Sequence, residues 1–158
     1  MKKTLSYIGL ILILILGLTS CVKKEDENYA NQTKANTVIT EINQLPTTDA
    51  IELTDEVKIA NVRSLYNALS KEAKALVTNL DKLEALENKL IELKKAKDNQ
   101  DKANVVIELI NKLPAADELT LEGEDKVKEA RTTYEALSEE VKTLVTNLDK
   151  LEALENKL

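Results

Sequence analysis

The sequence predicts an all-α fold, two tandem three-helix bundles joined by a long helix, and three observations carry that expectation. Sliding the chain along itself until Val38 falls on Val106 aligns Val38–Leu90 with Val106–Leu158 without a gap, with identity at 32 of the 53 positions. Self-similarity at one fixed period marks two copies of a single supersecondary unit, so the fold is read per copy. Within each copy the apolar residues recur at intervals of three and four, the mark of one helix face. Neither glycine nor proline occurs between Pro46 and Pro114, and the chain holds no Phe and no Trp. Leucine, isoleucine and valine must therefore supply the buried surface, at about 25 cal/mol per Å². Helices suit so small a core because their contacts are local.

The first helix ends in Val38-Ile39-x-x-Ile42-x-x-Leu45-Pro46, duplicated as Val106-Ile107-x-x-Ile110-x-x-Leu113-Pro114. Proline cannot continue a helix and biases the residue before it away from α, so both helices stop at the leucine. In the loops Thr47–Thr54 and Ala115–Glu122, the pairs Ile51/Leu53 and Leu119/Leu121 read as plugs for one end of each bundle. The second helix is expected from near Asp55 and near Gly123, both acceptable N-caps. Its stripe is Ile59, Val62, Leu65, Tyr66 and Leu69, matched by Val127, Ala130, Tyr134 and Leu137.

Ser70 and Ser138 end that helix and cap short ones over Lys71–Val77 and Glu139–Val145. Thr78-Asn79-Leu80-Asp81 and Thr146-Asn147-Leu148-Asp149 fit the T-x-x-D form of a capping box and open the third helix. Leu80, Leu83, Leu86 and Leu90 recur along it, as do Leu148, Leu151, Leu154 and Leu158. The third helix of copy one is expected to run on into the first of copy two; from Asp81 to Lys112 it measures about 48 Å at 1.5 Å per residue. The polar run Lys94–Lys102 reads as a solvated stretch of that helix. The organisation expected is a signal segment over 1–20 and a polar, at least partly disordered tether over 21–34. Repeat one over 35–93, a polar helical linker over 94–102 and repeat two over 103–158 follow.

The amino terminus has the order of an export signal: Met1-Lys2-Lys3, an apolar run from Ile8 to Leu18, then small residues. The run is too short for the roughly 20 residues that a helix needs to cross hydrocarbon. Leu18-Thr19-Ser20-Cys21 resembles the lipobox of bacterial lipoproteins. The resemblance implies cleavage between Ser20 and Cys21, a diacylglycerol on the Cys21 thiol and often acylation of the new amino terminus. Two or more chains hold a protein at a membrane, whereas one binds reversibly. The place implied is the cell membrane, lipid-anchored, on the extracellular or periplasmic face.

Composition narrows the chemistry. From Cys21 onward the chain carries 20 basic and 28 acidic side chains. That balance argues against nucleic acid, which needs basic patches, and against polypeptide adhesion to an anionic bilayer. The chain has no His and no cysteine besides Cys21, so the usual general bases, thiol nucleophiles and transition-metal ligands are missing. Ser64, Ser70 and Ser138 are the only serines after Cys21, with no histidine to activate them. No enzyme activity, cofactor or small-molecule substrate is expected.

The order Val-Ile-x-x-Ile-x-x-Leu-Pro, Arg-x-x-Tyr-x-Ala-Leu-Ser, then Lys-x-Leu-Val-Thr-Asn-Leu-x-Lys-Leu resembles a three-helix repeat of surface proteins from low-GC Gram-positive bacteria. Its residues here are Arg63, Tyr66, Leu69, Ser70 and 74–79, and Arg131, Tyr134, Leu137, Ser138 and 142–147. The resemblance implies spacer or binding modules and supplies no catalytic residue. Copy two departs from copy one at Thr133 for Leu65 and Gly123 for Asp55, which predicts a weaker core or cap there.

Arg63 with Tyr66, and Arg131 with Tyr134, are the candidate interaction residues, since Tyr and Arg are enriched at binding hot spots. The competing structural reading packs the ring between helices and pairs the arginine with a carboxylate; it is the favoured one. Glu122-Gly123-Glu124-Asp125 and Asp98-Asn99-Gln100-Asp101 lack calcium-loop spacing, and no metal site is expected. Leu69, Leu76, Leu83 and Leu90 also fall seven apart, which admits a coiled-coil rod resembling the small murein lipoproteins, but Pro46 and Pro114 interrupt it. The function expected is a non-enzymatic envelope spacer or protein-interaction module. The alternatives are an adhesin-like binder of a host or cell-wall protein and a coiled-coil structural envelope lipoprotein.

Overall fold

Residues 24–44 form helix α1, and six further helices follow: α2 (Glu56–Asn67), α3 (Lys71–Lys74), α4 (Leu80–Asn111), α5 (Leu121–Glu135), α6 (Glu139–Lys142) and α7 (Leu148–Glu155). The computed structural model describes residues 24–158 apart from Ala116 and Leu119. No strand occurs among the described residues, whose secondary structure is all helical. Its contacts divide it after Leu90 into two units. The first is built on α1, α2, α3 and the opening turns of α4; the second takes the rest of α4 with α5, α6 and α7.

The helical spacings bury the residues they should. In the first unit Val38, Ile42 and Leu45 of the α1 segment, Ile59 and Val62 of α2, and Leu83, Leu86 and Leu90 of α4 are all buried. In the second, Val106, Ile110 and Leu113 join Val127, Ala130, Val141, Leu151 and Leu154 in one cluster. Both proline-directed stops close with a tight turn, Leu45 N to Ile42 O and Leu113 N to Ile110 O, each 3.2 Å. α4 is one helix of 32 residues that crosses from the first unit to the second. Its polar middle is laced by i,i+4 pairs, Lys97 with Asp101 and Asp98 with Lys102, each of a kind that adds about 0.2–0.5 kcal/mol to an exposed helix.

Several expectations change in detail. Residues 24–34, read as tether, are helical and continuous with the rest of α1, and Ser70 Oγ donates to Asn31 Oδ1 at 2.9 Å. Ser70 and Ser138 do cap α3 and α6, accepting from Ala73 N at 3.1 Å and Val141 N at 3.4 Å, but those helices are only four residues long. The capping box fails. α7 is preceded by Asn147, not Thr146, as its N-cap, with no side-chain bond to its own first turn.

The loops differ between copies. Ile51 is buried as a plug, whereas Leu121 is 85% exposed and opens α5, and Leu119 lies outside the described residues. α5 starts before Gly123: Thr120 caps it by accepting from Gly123 N at 3.3 Å. Asp55 does not cap α2 with its side chain; it accepts from Glu52 N at 2.9 Å within the 3-10 turn Leu53–Asp55. Leu65 is 45% exposed, so Thr133 in its place costs copy two no core.

Candidate functional site

Arg63 and Tyr66 stand one turn apart on α2, and Arg131 and Tyr134 repeat them on α5. The Arg63 guanidinium reaches across to α4 and donates to both oxygens of Glu87, with Nε 2.6 Å from Oε1. Arg131 does the same to Glu155 of α7, again with Nε at 2.6 Å, and adds Glu135 at 3.3 Å. By accepting these bonds Glu87 and Glu155 hold both guanidinium pKa values above their ordinary range. Each tyrosine ring is half-buried between two cations: Arg63 at 5.4 Å and Lys74 at 5.5 Å from the Tyr66 centroid, Arg131 and Lys142 at the same distances from Tyr134. Cation–ring contacts of this kind contribute about 0.5–1 kcal/mol at exposed sites.

Two further polar clamps recur at the same period. Asn79 Nδ2 donates to Ile39 O at 3.0 Å and to Asn43 Oδ1 at 2.9 Å, tying the start of α4 to α1. Asn147 makes the identical pair to Ile107 O and Asn111 Oδ1. The amide oxygens of Asn79 and Asn147 are buried and find no donor among the described residues. Lys82 Nζ donates to Asn43 O at 3.2 Å and Leu45 O at 2.7 Å, and Lys150 to Asn111 O and Leu113 O. The ammonium thereby satisfies carbonyls left open at a helix C-terminus, where a cation is also favoured by the dipole.

Sequence reasoning found the Arg–Tyr pairs but not their partners. Glu87 and Glu155 carry no local mark, though each follows its arginine at the same interval in the two copies. The asparagine and lysine clamps lie inside the repeated Thr-Asn-Leu-x-Lys run, where they resemble a helix start. Ser20 and Cys21, the expected cleavage and lipidation residues, lie outside the described residues.

The two acidic clusters do not converge. Asp98 and Asp101 are engaged with Lys102 and Lys97, and Glu124 with Lys128. Among the described residues no three His, Cys, Asp or Glu side chains are grouped to hold a metal ion. No described helix is long and apolar enough to cross a membrane. No protein-family model matches the chain, and neither a curated protein nor a solved structure matches it.

Proposed function

We propose that this chain is a non-enzymatic lipoprotein of the cell envelope, anchored through Cys21 and presenting two tandem three-helix bundles as a spacer or protein-interaction module. One observation carries the reading. Three polar pairs that the duplication keeps identical, Arg63/Arg131, Asn79/Asn147 and Lys82/Lys150, spend their side chains holding one helix to another within a unit. Duplication here preserved a way of building a helical unit. The side chains that do gather at a repeated point, Arg63 and Lys74 about Tyr66 and Arg131 and Lys142 about Tyr134, are cations around an aromatic ring. The lack of histidine and of cysteine beyond Cys21 supports the non-enzymatic half of the reading, and Leu18-Thr19-Ser20-Cys21 supports the anchor.

The test of the anchor is metabolic labelling with a fatty acid. The full chain is expected to incorporate label and remain with membranes after high-salt washing, and Cys21→Ser is expected to lose both. A Cys21→Ser chain that stays in the membrane fraction sinks the anchor. For the module, pull-down with residues 22–158 separates the two roles: a pure spacer retains nothing saturably, and an interaction module retains a partner.

A further inference from the structure

The two units share a scaffold, and one exchange between them changes the surroundings of the repeated tyrosine ring. In the second unit Lys142 lies over Tyr134, 5.5 Å from its centroid, and donates to Glu135 Oε2 and Glu139 Oε1 at 3.0 Å each. In the first unit Lys74 lies over Tyr66 at the same distance. The residues at the places of those two glutamates are Asn67 and Lys71. Lys74 donates instead to Asn67 O at 2.9 Å and meets no carboxylate among the described residues. Lys71 is exposed, at the position from which Glu139 reaches Lys142. The exchange moves the local charge three units toward positive, one through the asparagine and two through the lysine. Glu72 lines a hollow against α1 with Glu27, Asn31 and Lys34, and Arg63 is already matched by Glu87. Two ammonium groups are left beside Tyr66, in a chain whose net charge is −6.

We propose that this turn of the first unit binds an acidic peptide segment of a partner protein, whose carboxylates take the places that Glu135 and Glu139 hold in the second unit. The duplicate identifies the ligand. With the same ring and the same lysine, the groups that neutralise the ammonium there are carboxylates. The second unit supplies them itself and is closed to a ligand, whereas the first lacks both. Phosphate is the less suitable anion. The guanidinium fork that best matches its oxygens is engaged by Glu87, and only the point charges of lysine remain.

The inference rests on the interaction-module form of the proposed function and gives that module a partner chemistry. Charge pairs at exposed sites are individually weak. A short acidic segment is therefore held with a Kd of about 1 mM at low salt, and salt weakens it.

The test is an NMR titration of the full chain in nonionic detergent at low salt, with hexaglutamate as the probe. Shifts are expected at the Lys71 and Lys74 amides and the Tyr66 ring, and none at Glu139, Lys142 or Tyr134. Two reciprocal variants each install residues that the scaffold already carries in the other unit, so both keep their helical circular dichroism. Asn67→Glu/Lys71→Glu is expected to weaken binding at least about ten-fold. Glu135→Asn/Glu139→Lys is expected to bind a second hexaglutamate, with new shifts at Lys142 and Tyr134. Inorganic tripolyphosphate is expected to bind less tightly than hexaglutamate. Equal shifts in both units, or none in either, overturn the proposal. So do a first variant that binds like the parent, a second that gains no site, and tripolyphosphate as the tighter ligand. A saturable protein partner captured equally by the parent and by Asn67→Glu/Lys71→Glu overturns this site while the interaction module itself stands.

Discussion

Arg131 and Glu155 join α5 to α7 by two parallel charge-assisted hydrogen bonds, and the same fork joins Arg63 to Glu87. The pair in the second unit is about a quarter exposed on each side, 28% and 29%, so solvent screens part of its charge. What remains is geometric: a planar guanidinium meets both carboxylate oxygens, which an ammonium cannot do. Arg131→Lys keeps the charge and removes the fork. It is expected to cost about 1 kcal/mol, read as a lower urea midpoint at unchanged slope. A lysine variant as stable as the parent would mean that charge alone suffices.

The Asn147 amide makes a sharper prediction, because it is placed by acceptors on another helix. Asn147→Ala removes both donors and leaves Ile107 O and Asn111 Oδ1 without them, which costs about 1–3 kcal/mol. Asn147→Asp is nearly isosteric but sets a carboxylate against those two acceptors, and it is expected to destabilise more than alanine does. Urea unfolding of the two variants ranks them. If aspartate proves the milder change, the amide does not donate as described.

These contacts mark where the sequence stops being informative. The core stripes of both units were legible because apolar spacing is a local signal, and Val38, Ile42, Val106 and Ile110 are buried as that spacing requires. The start of the third helix was not. Thr78-Asn79-Leu80-Asp81 satisfies a local capping rule, yet Asn79, not Thr78, precedes the helix, and its amide is claimed by Ile39 and Asn43 of α1, far from it along the chain. Leu65 shows the same limit, since a leucine at the edge of a stripe is core or surface according to which helix lies beside it. The early part of α1 was present in the sequence as a polar duplication, Asn31-Gln32-x-Lys34-Ala35-Asn36 against Asn99-Gln100-x-Lys102-Ala103-Asn104. Polar residues carry no hydrophobic period, so apolar spacing alone begins the repeat at Ala35.

Leu90 and Leu158 end two identical segments, Leu76–Leu90 and Leu144–Leu158, and separate local sequence from environment. In the first unit the segment continues into α4 and Leu90 is 7% exposed; in the second it ends in a turn and Leu158 is 55% exposed. Leu90→Ala is expected to cost about 2–5 kcal/mol through lost burial and a residual cavity. Leu158→Ala is expected to stay within about 0.5 kcal/mol. Thermal melting of both variants tests this, and equal losses would place Leu158 against a surface of its own.

Acid should act unequally on the two units, since Lys95 pairs with Glu140 at 2.9 Å while the duplicate positions, Glu27 and Glu72, are both carboxylates. The hydrogen bond from Lys95, aided by Asn99, holds Glu140 below the ordinary glutamate pKa, and the bond from Lys142 does the same for Glu135. A carboxylate depressed in the folded state contributes stability that is present above its unfolded pKa of about 4.3 and lost as pH falls through the folded value. Both groups are solvent-exposed, so the effect is modest and its direction is the prediction. Glu140→Gln is expected to melt below the parent at about pH 7, and the gap is expected to close near pH 3. Glu72→Gln, at the duplicate position in the first unit, removes no ion pair among the described residues and is the control. A Glu140→Gln gap that persists unchanged into acid would mean that the glutamate stabilises the second unit by packing and not by its charge.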